Sequence, residues 1–432
     1  MVSVLLAACP FTGHVDPTVR LTRALVEAGH DVRVLTGSRF RHRVEGAGAQ
    51  FLPLPDEADL DERRMAEHFP DRAGLRGLAA AKHDMSRIFL DPLPGQLAAL
   101  DAAMAERPVD VVVAEPLFMG ALGLLARPRA QRPAVVTLGI MPITLSSRYA
   151  PPGGPGLTPI PTPAGQLLHV GLGAALRGLA FRGVQRHAGE MLRRAGVGEP
   201  TTFFTEWPRL SEAIVQLSVP SLEFPRPDLE VPVFFVGSLG AGGGRDVELP
   251  DWWGDLDGTR PVVHVTQGTA ANTDLSQLLL PTAETLADRD VLVVATTGGA
   301  PVRDLARRLP SNARLAEFLP YDRLLPRTDV MVTNGGYGGV LQALQHGIPL
   351  VVAGAQQDKA DIAARVRWSG TGVTTATLTP NRRWIDNAVG KALYDNGIRA
   401  TAARVGDELR AAPGAAGAVR VVEMIAAAQY LP

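Results

Sequence analysis

The sequence predicts an α/β protein made of two doubly wound domains, each built on a parallel sheet. Apolar runs of strand length alternate with longer amphipathic segments along the whole chain. The runs are continuous and rich in β-branched residues, which is typical of strands buried on both faces. The pattern begins twice, at Val2 and again near Val262. Strands and helices that alternate in this order form parallel sheets joined by crossover helices.

Eight apolar runs are the predicted strands, and the segments between them contain the predicted helices. In the first helical segment, "PTVRLTRALVEAGH", Leu21, Leu25 and Val26 share one face, and Gly29 ends the helix. The predicted strands are, in chain order, "VSVLLAA", "DVRVLTG", "VDVVVAE", "PAVVTLG", "PVVHVT", "DVLVVAT", "DVMVT" and "IPLVVAG".

Chain length and one linker-like segment predict the domain organisation. With 432 residues the chain is too long for one ordinary core, so two domains are expected. Residues 222–246 are dense in Pro and then in Gly, which indicates an interdomain linker. We predict a first domain over residues 1–240 with this linker, a second over 241–410, and a C-terminal helix over 411–432 that is a candidate for packing back on the first. Two such sheets leave a cleft at the carboxyl ends of their strands, where doubly wound sheets bind ligands.

Composition and charge exclude several classes of partner. The chain has 43 basic and 44 acidic side chains, so it lacks the broad positive field that nucleic acid or an anionic membrane requires. The single cysteine, Cys9, excludes an intramolecular disulfide and indicates a reducing compartment. No apolar stretch reaches the roughly 18 residues of a transmembrane helix, and the apolar N-terminus is predicted as a buried strand, not a signal peptide. We therefore expect a cytoplasmic protein, as a monomer or homodimer.

Two segments of the first domain depart from the alternating strand–helix pattern. Residues 146–166, "SSRYAPPGGPGLTPIPTPAGQ", are too rich in Pro and Gly to form a regular element, so a mobile loop is expected. Residues 56–91 are charged and irregular before they become helical. Long loops in compact domains are often functional, so the first domain is expected to vary its surface more than the second.

A glycine-rich turn is the strongest candidate for a phosphate site. In residues 334–339, "NGGYGG", the chain passes from an apolar strand into a helical pattern that ends at Gly347. Exposed amides and the positive end of the helix dipole meet there, which suits an anionic phosphate. The alternative is a tight turn with close helix–strand packing, which needs only one or two glycines. The motif is neither a P-loop nor a G-x-G-x-x-G fingerprint.

Three further strand ends hold candidate functional residues. "VVHVTQGT" ends in Thr269, which offers a hydroxyl and an amide to a phosphate or else caps a helix near Thr269 or Asn272. His14 follows the first strand in "CPFTGHVDP", where an imidazole suits general-base work at neutral pH, although a lone His is more often structural. Glu115 ends the strand "VDVVVAE" at the same sheet edge, where it either orients His14 or caps the helix predicted from Pro116.

Taken together, these residues resemble the inverting family-1 glycosyltransferases with the two-domain GT-B fold, the group of plant secondary-metabolite and bacterial macrolide, rifamycin and glycopeptide transferases. The resemblance covers nearly the whole chain. It rests on "TGHVDP", on "VTQGT" and on "FLPYDRLLPRTDVMVTNGGYGGVLQALQHGIPLVVAGAQQDK", which is similar to the donor-binding signature of that family. The variant "NGGYGG" followed by "DK" is most similar to a bacterial branch that decorates natural products and lipids.

The resemblance implies a role for each candidate residue. His14 matches the base that deprotonates the acceptor hydroxyl, and Glu115 stands where relatives often have an Asp paired with that base. Gln342 replaces a Glu that binds both ribose hydroxyls in relatives. Because an amide makes weaker hydrogen bonds than a carboxylate, this replacement implies tolerance of a 2'-deoxyribose donor. The remaining implied donor contacts are Thr269 near the phosphates, Phe318 beside the nucleobase, Asn334 in place of a phosphate-binding His, Gly335, Gly336, Gly338 and Gly339 of the turn, and the sugar-contacting pair Asp358 and Lys359.

The implied reaction is transfer of a sugar from a UDP- or dTDP-sugar to a hydroxyl of a lipophilic small molecule such as a polyketide or macrolide, with inversion. It needs no metal and no cofactor besides the nucleotide sugar. The Asp-x-Asp motifs at residues 59–61 and 255–257 could suggest a metal–diphosphate site, but both are predicted to be solvated loop charges. Residues 157–163 are expected to shape the acceptor pocket. The alternatives are a catalytically silent nucleotide-sugar-binding partner, suggested by Asn334 and Gln342, and a GT-B nucleotide-sugar epimerase.

Overall fold

The computed structural model describes residues 1–240, 248–268, 274–299, 302, 305, 307–354 and 358–428. Within these ranges the strands form two parallel sheets. The strands of the first sheet are β1 (Ser3–Ala7), β2 (Asp31–Thr36), β3 (Gln50–Pro53), β4 (Val111–Ala114), β5 (Ala134–Gly139), β6 (Ala213–Gln216) and β7 (Val233–Phe235). The strands of the second are β8 (Val262–Thr266), β9 (Leu292–Thr296), β10 (Ala313–Ala316), β11 (Val330–Thr333), β12 (Leu350–Ala353) and β13 (Gly372–Thr375).

The strand orders are those of doubly wound sheets. The first sheet runs β3-β2-β1-β4-β5-β6-β7 and the second β10-β9-β8-β11-β12-β13, so each chain segment starts in the middle of its sheet and winds outward in both directions. All eight predicted strands are present, and the predicted pair of doubly wound α/β sheets is confirmed. Each order places a topological switch point at the centre of its sheet, where such folds bind ligands.

Helices cover both faces of each sheet. In the described residues they are α1 (Thr12–Glu27), α2 (Arg41–Glu45), α3 (Met65–His68), α4 (Gly77–His83), α5 (Leu93–Glu106), α6 (Gly120–Leu125), α7 (Pro163–Ala175), α8 (Arg182–Arg194), α9 (Leu279–Thr285), α10 (Tyr321–Leu324), α11 (Tyr337–Gln345), α12 (Lys359–Ser369), α13 (Arg382–Tyr394), α14 (Asn396–Ala411) and α15 (Gly414–Ala428). π-helical turns extend α4 and α7 over Asp84–Leu90 and Leu176–Ala180.

Strand β1 shows why the predicted strands are continuous apolar runs in the sequence. Val4 and Leu6 pack into the core on one face of the sheet, while Leu5 and Ala7 pack into a separate core on the other. Because both faces are covered by helices, the four buried positions Val4–Ala7 are all apolar and no polar alternation appears.

The last helix of the described chain lies against the first sheet. Ala418 and Val422 of α15 belong to the same core as Val4 and Leu6 of β1. On the same helix, Glu423 Oε1 lies 3.1 Å from His30 Nε2. The chain therefore returns from the second sheet to the first through α14 and α15, which tethers the two halves at a second place.

Five of the strands are not among those predicted from the sequence. β3, β10 and β13 are short and contain Pro, polar residues or Gly, and they lie at or near the sheet edges. β6 and β7 lie in the Pro-rich stretch that follows α8. Part of the predicted linker, Val233–Phe235, is strand β7, because this stretch pairs with β6 and closes the edge of the first sheet.

The predicted mobile loop at residues 146–166 is shorter than expected and is tied down. Helix α7 begins inside it at Pro163, where Thr162 Oγ1 accepts a hydrogen bond from the Gly165 amide at 3.1 Å. Asp361 of α12 accepts hydrogen bonds from the amides of Gly154, at 2.7 Å, and Gly156, at 3.3 Å. The loop thus spans from the first sheet to a helix of the second.

No single helix among the described residues is both long and apolar enough to cross a membrane. Only two bent pairs, α7 and its extension with α8 and α14 with α15, reach that composition together, across bends of 63° and 50°.

Candidate active site

His14 and Glu115 meet at the carboxyl edge of the first sheet. A short connection leads from β1 to Phe11, which has an extended backbone and precedes helix α1 at Thr12. His14 therefore lies in the first turn of the helix, whereas the sequence predicts it in the loop before the helix. Glu115 follows strand β4, which is the neighbour of β1 in the sheet. His14 Nδ1 lies 3.0 Å from Glu115 Oε1, an ion-pair distance without the alignment of a linear hydrogen bond.

Glu115 is fixed by the backbone around it. Its side chain is almost fully buried, and Oε1 accepts a hydrogen bond from the Cys9 amide at 3.1 Å. Oε2 accepts one from the Leu117 amide at 2.7 Å. The carboxylate therefore organises the loop after β4 and does not cap α6, which begins only at Gly120. With both oxygens anchored, the position of the negative charge beside His14 is set by the sheet itself.

The charges at this pair shift both pKa values toward the ionised forms. Burial is the largest effect and by itself would lower the pKa of His14, but the charge and hydrogen bonding of Glu115 and the charges of Asp358 and Glu62 together raise it above its ordinary value. Burial would raise the pKa of Glu115, but His14 and the amides of Leu117 and Cys9 lower it below its ordinary value. The site therefore holds a carboxylate next to an imidazole and favours the protonated imidazole once a proton arrives.

Two aromatic rings enclose the imidazole. Phe11 meets His14 edge-on with ring centroids 5.6 Å apart, and Phe89 stacks on it at 6.4 Å with 21° between the planes. The side chain of His14 keeps 17% of its accessible surface. The ring is thus held between apolar walls, with its Nδ1 edge on Glu115 and a small exposed area left for another molecule.

The glycine-rich turn of the second sheet has two structurally different parts. Gly335 has a φ of +94°, and a Cβ on it would come 3.1 Å from Val352 Cγ1, so this position requires glycine. Gly336 and Gly338 face open space, with nothing within 4 Å of an added Cβ. Helix α11 begins at Tyr337, so Gly338 and Gly339 belong to its first turn and not to the preceding turn. The first four amides of an α-helix have no acceptor within the helix, so the amides of Gly338 and Gly339 point toward the edge where β11 ends.

The neighbours of this turn are placed as follows. Asn334 is buried, and its side-chain amide donates to the Gln267 carbonyl. Gln342, one turn into α11, donates from Nε2 to the Gly338 carbonyl at 3.2 Å. Phe318 lies beside Gly299, since a Cβ on that glycine would come 3.1 Å from Phe318 Cζ. Thr269 lies outside the described residues.

Asp358 and Lys359 stand at the start of α12, at the carboxyl edge next to the glycine turn. Asp358 lies close enough to His14 for its charge to raise the pKa of the imidazole. Burial raises the pKa of Asp358 and lowers that of Lys359, and the two opposite charges partly offset this. Lys359, Asn334 and Gln267 line a cavity of about 30 Å³ behind the turn. The structure therefore brings residues from the two sheet edges together across one cleft.

The candidate metal-binding carboxylates Glu115, Asp61 and Asp255 are each paired with a protein group. Cys9, His14 and Glu115 place a possible ligand atom each within 4.8 Å of one another. Burial, followed by the charge of Glu115, raises the pKa of the Cys9 thiol well above its ordinary value, so the metal-binding thiolate is disfavoured. In the Asp-x-Asp motifs at residues 59–61 and 255–257, Asp61 pairs with Arg63 at 2.6 Å, and Asp255 with Arg314 at 2.5 Å.

Sequence reasoning missed two residues around His14. Glu62 Oε2 accepts a hydrogen bond from the Thr12 amide at 3.0 Å, which caps α1 and brings a second negative charge toward the imidazole. Phe89 supplies the stacked wall. Both come from residues 56–91, predicted only as a charged and irregular stretch that becomes helical, and nothing in their local pattern indicates that they reach the first strand.

Comparison with known proteins identifies the family. Residues 281–425 match the family described as "Erythromycin biosynthesis protein CIII-like, C-terminal domain". The chain is 40% identical over 421 residues to 4'-demethylrebeccamycin synthase of Lentzea aerocolonigenes, covering 97% of this chain and 98% of the relative. It is 33% identical over 421 residues to UDP-glucosyltransferase B1 of Starmerella bombicola, covering 94% of each.

Solved structures agree on the fold. The calicheamicin glycosyltransferase CalG4 has a TM-score of 0.74 at 21% identity and 100% coverage of both chains. The glycosyltransferase VinC in complex with dTDP has a TM-score of 0.69 at 19% identity, covering 98% of this chain and 99% of that one. With full-length relatives of this identity and the GT-B architecture of these neighbours, the chain belongs to the glycosyltransferase family and is a glycosyltransferase enzyme.

Proposed function

We propose that this enzyme moves a sugar from a UDP- or dTDP-sugar to a hydroxyl group of a lipophilic natural product, with inversion at the anomeric carbon. Three sources support the donor and acceptor classes. One relative is named as a UDP-glucosyltransferase, one structural neighbour holds dTDP, and the relative with 40% identity is named as the synthase of a demethylated rebeccamycin.

The observation that carries the proposal is the placement of the His14–Glu115 pair opposite Asp358. A base with an anchored carboxylate behind it lies on one side of the cleft, and a carboxylate beside the open glycine turn lies on the other. A sugar between them would present its anomeric carbon to an acceptor oxygen held at His14.

In the proposed mechanism, His14 accepts the proton of the acceptor hydroxyl through Nε2, because Nδ1 faces Glu115. The oxygen forms a bond to the anomeric carbon while the bond from that carbon to the diphosphate breaks on the opposite face. Glu115 stabilises the imidazolium that results. The leaving diphosphate gains negative charge, which the amides at the start of α11 and the helix dipole stabilise.

Donor recognition is proposed to centre on the edge formed by β9, β10 and β11. Phe318 would flank the base, the open positions Gly336 and Gly338 would let phosphate oxygens approach the backbone, and Asp358 would accept hydrogen bonds from sugar hydroxyls. The side-chain amide of Asn334 donates to the Gln267 carbonyl, so Asn334 would stabilise the conformation of the turn and not bind the donor directly. No metal is required in this proposal, because backbone amides and the helix dipole carry the charge stabilisation.

The test is acceptor-dependent release of nucleoside diphosphate from a panel of UDP- and dTDP-sugars, with NMR of the product to read the anomeric configuration. We expect His14→Ala to lose transfer and the exposed control His42→Ala to keep it. Activity should survive EDTA. Full activity in His14→Ala, or retention of configuration, would contradict the mechanism. Tight nucleotide-sugar binding with no transfer to any acceptor would favour a binding role, and conversion of the sugar without acceptor an epimerase.

A further inference from the structure

A buried polar network joins the two domains directly behind the glycine turn. Tyr337, the first residue of α11, donates from its hydroxyl to Glu223 Oε1 at 2.9 Å and accepts from Gln216 Nε2 at 3.1 Å. The other oxygen of Glu223 accepts from Arg365 Nε at 2.7 Å. Burial and then the charge of Glu223 raise the pKa of Tyr337 well above its ordinary value, so the phenol remains a donor.

The partners of Glu223 belong to the two helices that would carry the donor site. Tyr337 is part of the glycine turn, and Arg365 lies on α12, whose N-terminus holds Asp358 and Lys359. Glu223 itself lies in the chain segment between β6 and β7 of the first sheet. One carboxylate from the first half of the chain therefore contacts both donor-binding helices of the second half.

The rest of the network leads back to the strands beside Glu115. Arg365 Nη2 donates to the Ile143 carbonyl at 2.6 Å, and Gln216 Nε2 donates to the Met141 carbonyl at 2.9 Å. Gln216 ends β6, and Gly139 leaves space for its side chain, since a Cβ there would come 2.1 Å from Gln216 Oε1. Only β5 separates β6 from β4, the strand that positions Glu115. The network is thus built on the same sheet edge as the His14–Glu115 pair.

Burial makes this arrangement rigid. The side chains of Arg365 and Glu223 are 3% and 0% exposed, so neither charge can turn to solvent when its partner is displaced. Removing one member of a buried ion pair leaves an uncompensated charge, which is far more costly than loss of a surface pair. The contact therefore permits one relative placement of the two helices and the first sheet.

We propose that Glu223 is a positioning residue for glycosyl transfer and that Tyr337 and Arg365 are the groups through which it acts. It holds the glycine turn and the Asp358–Lys359 pair at a fixed place relative to His14, so that the donor sugar and the acceptor hydroxyl meet in line. Tyr337 is then selected within "NGGYGG" for its hydroxyl and not for contact with the donor. This inference rests on the proposed function, but its structural part can be tested without turnover.

The experiment uses Tyr337→Phe and Glu223→Gln in the full chain, with the exposed Tyr394→Phe as the matched control. We expect kcat of both variants to fall by about ten-fold or more, as expected when reacting groups are misplaced. Affinity for UDP and dTDP, measured by calorimetry, should change by less than about three-fold, because the donor site lies within the second domain. In a His14→Ala background, Tyr337→Phe should cause no further loss of the residual rate, since its effect acts through alignment with His14.

Hydrogen exchange supplies the readout that does not depend on activity. Amides of α11 and the first turn of α12 should exchange faster in both variants than in the wild type and the control. Unchanged exchange in a folded Tyr337→Phe, or unchanged kcat in an active enzyme, would overturn the inference. If the wild type transfers no sugar, the proposed function fails, while the exchange result still decides whether Glu223 positions the two helices.

Discussion

His14 Nδ1 and Glu115 Oε1 lie 3.0 Å apart, and both oxygens of the carboxylate are also held by backbone amides. The backbone therefore holds the negative charge of Glu115 at a fixed position beside the His14 imidazole. This relationship makes a direct prediction for the pH dependence of transfer.

Glu115→Gln should shift the acidic limb of the kcat/KM profile to lower pH. The charge of Glu115 raises the pKa of His14 against the lowering effect of burial, so its removal leaves burial dominant and lowers that pKa. The base must be neutral to accept a proton, so activity rises as pH passes through its pKa. At the plateau, kcat should still fall by about 10² to 10³, because the imidazolium loses its partner. A profile that stays in place or moves to higher pH would contradict this assignment.

Gly335→Ala and Gly338→Ala should separate folding from donor binding within one turn. Gly335 has a φ of +94° and Val352 3.1 Å from an added Cβ, so alanine there should destabilise the fold by about 1 to 3 kcal/mol. Gly338 lies in a helical turn that faces open space, so alanine should leave stability unchanged or slightly improved. Its methyl group should instead raise the donor KM. Thermal unfolding and steady-state kinetics on both variants measure this; equal destabilisation would contradict it.

Asp361→Asn should release the loop at residues 146–162 from the second domain. The Asp361 carboxylate is buried and accepts hydrogen bonds from the Gly154 and Gly156 amides, at 2.7 and 3.3 Å. An amide retains only one acceptor oxygen, so one of these bonds is lost. We expect faster proteolytic cleavage within the loop and a higher acceptor KM, with donor KM changed less. Asp407→Asn, an exposed residue of α14, is the matched control and should show neither effect.

Gln342→Glu should make the enzyme prefer ribose over deoxyribose donors. Gln342 is half-buried one turn into α11, and its amide donates to the Gly338 carbonyl at 3.2 Å. A carboxylate there would accept charge-assisted hydrogen bonds from both ribose hydroxyls, which are stronger than those of an amide. We expect the ratio of kcat/KM for UDP-sugar to dTDP-sugar to rise by about ten-fold. An unchanged ratio would show that Gln342 does not contact the ribose.

The sequence by itself determined the two parallel sheets, because strands buried on both faces are predominantly apolar, as in Val4–Ala7 of β1 and Val330–Val332 of β11. It also determined that glycines accumulate where β11 enters a helix, since Gly335 needs a backbone conformation that other residues rarely adopt. It placed His14 and Glu115 at the ends of two strands, and neighbouring parallel strands bring their carboxyl ends together by topology alone.

Only the tertiary structure decided the contacts between segments that are far apart in the chain. Glu223 lies in a stretch predicted as a linker, and Tyr337 looked like a turn residue, yet the two meet because the second domain folds onto the end of β6. Glu62 and Phe89 reach His14 through a loop with no periodic pattern. Local pattern reports which face of an element is buried, whereas these partnerships depend on how two sheets and their loops pack together.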